Sequence, residues 1–276
     1  MALEKANFYI PKSVFKDHIN LDDPSLIDKY KERNQNMEAM YNRQAIKNRI
    51  NLYKDKSLWE GAPLEFSISD WEPNKRKDEK QARDLGNKAV TLARQMLKKR
   101  FNVLMVGDAG VGKTSLAMMM ASILQQHDKT VMFVSANELK ELCADQYNYP
   151  ESRAKLKDRQ RFMNYADVLI IDDLGAEAGN VEQDGKSLRV RRDFQALIYR
   201  ISQNRFEGTK EDQKKAKKEG RKLPHPVRST IVTTNNIQDE LEKIYGSRTV
   251  SRLITLNPEH RLAFNDMEDM RQQSNL

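Results

Sequence analysis

Residues 101–124, FNVLMVGDAGVGKTSLAMMMASIL, leave a chain few ways to fold. An apolar run from Phe101 to Val106 enters Gly107-Asp108-Ala109-Gly110-Val111-Gly112-Lys113-Thr114-Ser115 and leaves in an apolar pattern of helical spacing. That is G-x-x-x-x-G-K-[ST] with a strand before it and a helix after it, the context the pattern requires. Its glycines let backbone N–H groups curl around phosphate oxygens, and the following helix presents its positive end to the same anion. Lys113 reaches the β- and γ-phosphates and the Thr114 hydroxyl suits Mg²⁺. The stretch therefore points to a nucleoside triphosphate.

Downstream the sequence alternates strand and helix, the signature of an α/β fold with a parallel sheet covered on both faces. Strands are expected at 102–106, 131–135, 167–172, 229–234 and 260–264. Helices are expected at about 78–100, 113–126, 137–147, 190–206 and 236–245, with a short one near 266–272. No internal repeat is visible.

Two of these strands end in polar side chains. Ala166 to Asp173 (ADVLIIDD) is a buried strand closing on two carboxylates. Asp172, at the carboxyl end of the sheet, is placed to hold Mg²⁺ through water, and Asp173 to orient an attacking water. Ser229 to Asn236 (STIVTTNN) aims Asn235 or Thr234 at the γ-phosphate or the water. Either asparagine can also cap the helix that follows. In Gly246 to Leu253 (GSRTVSRL), Arg248 and Arg252 stand four apart, one helical turn on one face. They read as an arginine finger for a neighbouring subunit or as an in-chain salt bridge.

The net charge of +8 is concentrated in two places. Residues 151–163 hold Arg153, Lys155, Lys157, Arg159 and Arg161 against two acids, and residues 208–228 hold eight basic groups against three. Together they account for the whole excess, the footprint of a polyanion partner. The 208–228 segment, read as a loop, serves such a partner or merely solubility.

Residues 1–22 read as a loose arm. Asp23-Pro24 starts a helix that runs to about Leu58, with an interrupted apolar stripe through Leu26, Ile27, Tyr30, Met37, Met40, Tyr41, Ile46, Ile50 and Tyr53. That stripe packs on the rest of the protein or on a partner. Glu60-Gly61-Ala62-Pro63 breaks it, which divides the chain into residues 1–62, a small helical region, and residues 63–276. Residues 64–81 form an extended lead-in in which Phe66 and Trp71 pack or cover a base. No stretch has the roughly 20 apolar residues of a membrane span. The N-terminus lacks a signal's apolar core, and the single Cys143 excludes an internal disulfide and a cysteine-clustered zinc site. The expected location is the cytoplasm, with no membrane association.

GDAGVGKTSLA, VLIIDDLGAE, IVTTNN and YGSRTVSRL, in this order, resemble the DnaC/DnaI-type helicase-loader ATPases of the AAA+ superfamily, beside the initiator DnaA. The resemblance covers roughly residues 64–270. It implies an AAA+ P-loop NTPase core with a five-stranded parallel sheet, an ATP and Mg²⁺ site, and slow hydrolysis stimulated by assembly or DNA. It implies a DnaB-type replicative helicase held by residues 1–62, and single-stranded DNA held by a helical element at about 137–165, near Tyr147, Tyr149 and Phe162. Asn235 then corresponds to sensor 1. Arg252 corresponds to the finger through which copies associate, with Arg248 beside it. Asp173 stands where many relatives have glutamate. The sequence leaves no room for a full C-terminal lid, cannot form the zinc module frequent in the DnaI branch, and carries an insertion at 208–222 with no family role. Such a compact loader suits a phage. An IstB-type transposition helper on duplex DNA, and an ATP-binding helicase regulator without turnover, are the alternatives.

Overall fold

The computed structural model describes residues 24–178, 190–265 and 267–269. The expected arm at 1–22 and the Asp23 cap lie outside them. Helix α1 (Pro24–Asp55) crosses between two compact units, residues 1–47 and 48–276. In the first, Met37, Met40 and Tyr41 are exposed. In the second, Ile50 and Tyr53 are buried, and the Tyr53 ring meets Phe162 edge-on at 5.1 Å. The stripe is thus packed at its C-terminal end and exposed at Met37, Met40 and Tyr41.

The second unit continues through α2 (Glu79–Met96), β1 (Val103–Gly107), α3 (Lys113–Gln126), β2 (Val131–Ser135), α4 (Ala136–Asp145), α5 (Pro150–Tyr165) and β3 (Val168–Asp172). After it come α6 (Arg192–Glu207), α7 (Lys210–Lys218), β4 (Ser229–Thr234), α8 (Gln238–Tyr245), α9 (Ser247–Leu253) and β5 (Arg261–Phe264). The strands form one parallel sheet in the order β2-β3-β4-β1-β5.

Period-two alternation decides which side chain goes to which face. Val103, Met105, Val131, Phe133, Val168 and Ile170 enter the core beneath α2 and α3. Leu104, Met132, Val134, Leu169 and Ile171 enter the opposite core, beneath α4, α5, α6, α8 and α9. Because both faces are covered, the strands read as continuous apolar runs. The β2 edge is closed by Leu58, whose N–H donates to Phe133 O at 2.9 Å and whose carbonyl accepts from Ser135 N–H at 2.9 Å.

Three expectations need correction. The lead-in is not simply extended, since it makes single helical turns at Ile68–Asp70 and Pro73–Lys75. Residues 267–269 are not helical. The basic 208–228 segment is not a loop throughout: α7 starts at a capping box in which Thr209 and Asp212 exchange side-chain-to-backbone hydrogen bonds, which satisfies two N–H groups that a helix start leaves open. Asp212 also takes both Nη atoms of Arg228, at 2.7 and 2.9 Å. Burial raises the Asp212 carboxyl, but Arg228 and Thr209 outweigh it and hold it down at about 2.

Candidate nucleotide site

All five strands are parallel, so their carboxyl ends share one rim, where open α/β sheets bind ligands. The ends of β1, β3 and β4 meet there. At the end of β1, Gly107 has a φ of 156°, and an added Cβ would lie 2.7 Å from Phe264 Cβ and 2.9 Å from Phe264 O. Only glycine lets the loop turn this close to β5.

The Lys113 ammonium, buried at the start of α3, donates to Gly107 O at 2.9 Å, Asp108 O at 2.7 Å and Asn235 Oδ1 at 2.6 Å. Beside it the Thr114 hydroxyl donates to Asp172 Oδ1 and Oδ2 at 3.0 and 3.1 Å. Burial pushes the Asp172 carboxyl up to about 6, and neighbouring Asp173 adds to this, against the Thr233 and Thr114 hydroxyls and Lys113. The Asp172 carboxylate and the Thr114 hydroxyl beside it are oxygen ligands, the kind a hard cation such as Mg²⁺ takes.

Thr233 completes this group and was not anticipated. Its hydroxyl donates to Asp172 Oδ1 at 2.7 Å and accepts from Asp173 N–H at 2.8 Å, tying both carboxylate residues to β4. The signal was a threonine in the middle of a buried strand, where a hydroxyl needs a partner. Asp173 itself has a φ of 53°, a backbone state that non-glycine residues seldom adopt outside special sites.

Neither asparagine caps α8, whose N-cap is Ile237 without a side-chain cap. Asn235 accepts from Lys113, whereas Asn236 Nδ2 donates to Glu240 Oε2 at 3.2 Å in the first turn of α8. Trp71 packs, its Nε1 donating to Ala82 O at 2.9 Å, and its ring lies under the Arg76 guanidinium, 4.8 Å from the centroid. Arg76, also not anticipated, leans on the phosphate loop with Nη1 3.4 Å from Val111 O.

Behind Asp173 lies Glu177, 7% exposed. One oxygen accepts from Gly175 N–H at 2.9 Å and the other is buried without a hydrogen bond. Burial pushes this carboxyl up to about 7. A carboxyl raised in the fold is most favourable when protonated, so its contribution to stability falls as pH rises towards about 7. Glu177→Gln is expected to flatten the decline of melting temperature between about pH 4.5 and 7. An unchanged slope would mean that Glu177 is ionised in the fold at neutral pH.

Arg252 donates to Glu207 Oε1 at 2.5 Å and to Arg248 O at 3.0 Å, with its side chain 12% exposed. This is the in-chain ion pair. Arg248 is exposed.

The five basic residues of α5 do not act alike. Arg153, Lys157 and Arg161 recur every four residues and form one exposed stripe, while Lys155 is exposed off that stripe. Arg159 is half-buried on Asp158 at 2.8 Å, and Asp158 also takes Lys56 at 2.7 Å. Arg153 and Lys157 line a groove of about 530 Å³ with Tyr147, Tyr199 and Arg200. The Arg191 guanidinium lies over the Tyr147 ring, 5.5 Å from its centroid.

The sheet, the loop closing β1 and the acidic end of β3 define an α/β core with a five-stranded parallel sheet and a phosphate loop after its β1, with a helical region before it. Within it, residues 69–193 match the family described as IstB-like ATP binding protein. No curated protein matches the chain. Among solved structures it is similar to DnaI (20% identity, 72% of this chain and 88% of that one, TM-score 0.44). It is also similar to a putative primosome component from Streptococcus pyogenes serotype M3 (17%, 72% and 85%, TM-score 0.45). A third similarity is to AMPPCP-bound DnaA from Aquifex aeolicus (12%, 73% and 53%, TM-score 0.47). The chain spans about half the length of the DnaA structures it matches. Among the described residues no helix is long and apolar enough to cross a membrane.

Proposed function

We propose that the protein is an ATPase that loads a DnaB-type replicative helicase onto single-stranded DNA. One observation supports it most: the rim holding Lys113, Thr114, Asp172 and Asn235 belongs to the same compact unit as the α5 stripe and its tyrosine-lined groove. In this reading the loop from Gly107 to Ser115 holds the triphosphate, and Thr114 and Asp172 hold Mg²⁺, which neutralises charge on the phosphates when bound. Asp173 and Asn235 orient the attacking water. Copies associate through α9, and because Arg252 must first leave Glu207, exposed Arg248 is the readier of the two for a neighbour's phosphates. Arg153, Lys157 and Arg161 track the DNA backbone, and Tyr147 offers a stacking face, the combination single strands require. Residues 1–62 grip the helicase, with Met37, Met40 and Tyr41 as its exposed apolar contacts.

The IstB-like match over residues 69–193 favours a second reading, a transposition helper that coats duplex DNA. One experiment separates the two. The full chain and a truncation starting at Asn48, which keeps Leu58 on β2, are passed over the host's replicative helicase with and without ATP. Binding by the full chain alone, with preference for single strands, is the expected result. No helicase complex together with duplex preference supports the helper. On the preferred DNA, the triple change Arg153→Ala, Lys157→Ala, Arg161→Ala is expected to reduce the slope of log affinity against log salt by about 2. An unchanged slope takes DNA off this helix.

A further inference from the structure

After β5 the described residues 265 and 267–269 turn back over the phosphate loop, and each of them is placed by a separate contact. Phe264 is buried against Gly107. Asn265 O accepts from Gln81 Nε2 at 2.9 Å. Met267 is buried in the core beneath α2 and α3. Glu268 Oε1 accepts from Lys77 N–H at 2.8 Å and faces Arg76. Asp269 ends the run against the middle glycine of the loop: a Cβ added to Gly110 would lie 1.7 Å from Asp269 Oδ1 and 2.2 Å from its Cγ. Gly110 has a φ of 77°, and its loop is the one whose N–H groups and lysine suit an anion.

We infer that Phe264, Asn265 and residues 267–269 belong to a strap in which the carboxylates of Glu268 and Asp269 occupy the mouth of the phosphate loop and compete with a nucleoside triphosphate for it. The inference rests on the nucleotide-binding reading of that loop. A triphosphate brings more negative charge than Glu268 and Asp269 together, so it displaces them from Arg76 and from Gly110 rather than sharing the site. Met267 keeps the strap anchored while its acidic end swings out. Nucleotide affinity is then lowered by the fraction of molecules with the strap open, and a strap closed in nine molecules of ten weakens apparent binding about tenfold.

The test is a titration of the full chain with a fluorescent ATP analogue and magnesium, comparing wild type, Asp269→Asn, Glu268→Gln and Lys113→Ala. Asp269→Asn is expected to bind about threefold to tenfold more tightly, and Glu268→Gln to tighten binding less. Hydrogen exchange of amides 265 and 267–269 in wild type is expected to speed up when the analogue binds. Unchanged or weaker binding by Asp269→Asn, with wild type binding and Lys113→Ala not, overturns the strap and leaves the phosphate loop standing. The same holds for a lower melting temperature without tighter binding. If neither wild type nor Asp269→Asn binds the analogue, the loop reading falls and the strap with it.

Discussion

Lys113→Ala is expected to remove ATP binding while leaving the protein folded. The ammonium makes charge-assisted contacts, each worth about 1.5–3 kcal/mol. Losing two phosphate contacts therefore costs about 3–6 kcal/mol, or two to four powers of ten in affinity. Stability should change far less. Lys113 sits at the start of α3, where alanine is the best helix former, and the carbonyls of Gly107 and Asp108 that lose a donor can take water at the rim. Calorimetric titration beside a thermal melt checks both halves. Wild-type affinity in the variant refutes the phosphate-loop assignment, and a collapsed melt would make Lys113 a structural residue.

Arg205→Ala is expected to do the reverse, leaving the rim's chemistry in place and destabilising the unit that carries it. Arg205 is 1% exposed, among the least accessible side chains described. Its Nη1 donates to Met163 O at 2.5 Å and Ala166 O at 3.0 Å, its Nε to Thr230 Oγ1 at 3.1 Å, and its Nη2 to Ser229 O. One guanidinium thus joins α6, the end of α5 and the start of β4 through four charge-assisted hydrogen bonds. Breaking a buried hydrogen-bond network of this kind costs about 3–5 kcal/mol. In a unit of this size that lowers the melting temperature by roughly 10 °C. Arg205→Lys should fall between, because an ammonium cannot reproduce the planar fork. Burial pushes the Arg205 pKa down to about 9. The group is therefore charged at neutral pH both folded and unfolded, and its contribution carries no pH dependence there. It favours the fold more only as pH climbs above about 9. Chemical unfolding of the three proteins is the check, and an unchanged midpoint in Arg205→Ala would refute the network.

The contrast between these two residues explains what the sequence disclosed. Lys113 was legible because its role is local: strand, loop and helix are contiguous, and the spacing alone specifies the geometry. The same holds for the ends of β3 and β4, where apolar runs stop at Asp172 and Asn235. Arg205 was not legible, because an arginine in an amphipathic helix reads as surface until β4 and the end of α5 are brought around it. Arg252 and Glu207 are 45 residues apart and meet only in the fold. Helix α7 was hidden by composition: its lysines suggested a loop, although Thr209 and Asp212 already had capping-box spacing. In α5 the charge was legible but not its division, since Arg159 is held by an aspartate that also holds Lys56.

Leu58 also bears on what the sheet offers to its surroundings. An uncovered edge strand offers its peptide groups to any extended chain that drifts past, including another copy of itself. At the β2 side this row is met by the backbone of residue 58, and at the other side β5 is only four residues long. Neither margin presents a long free ladder, which disfavours extension of the sheet by another extended chain.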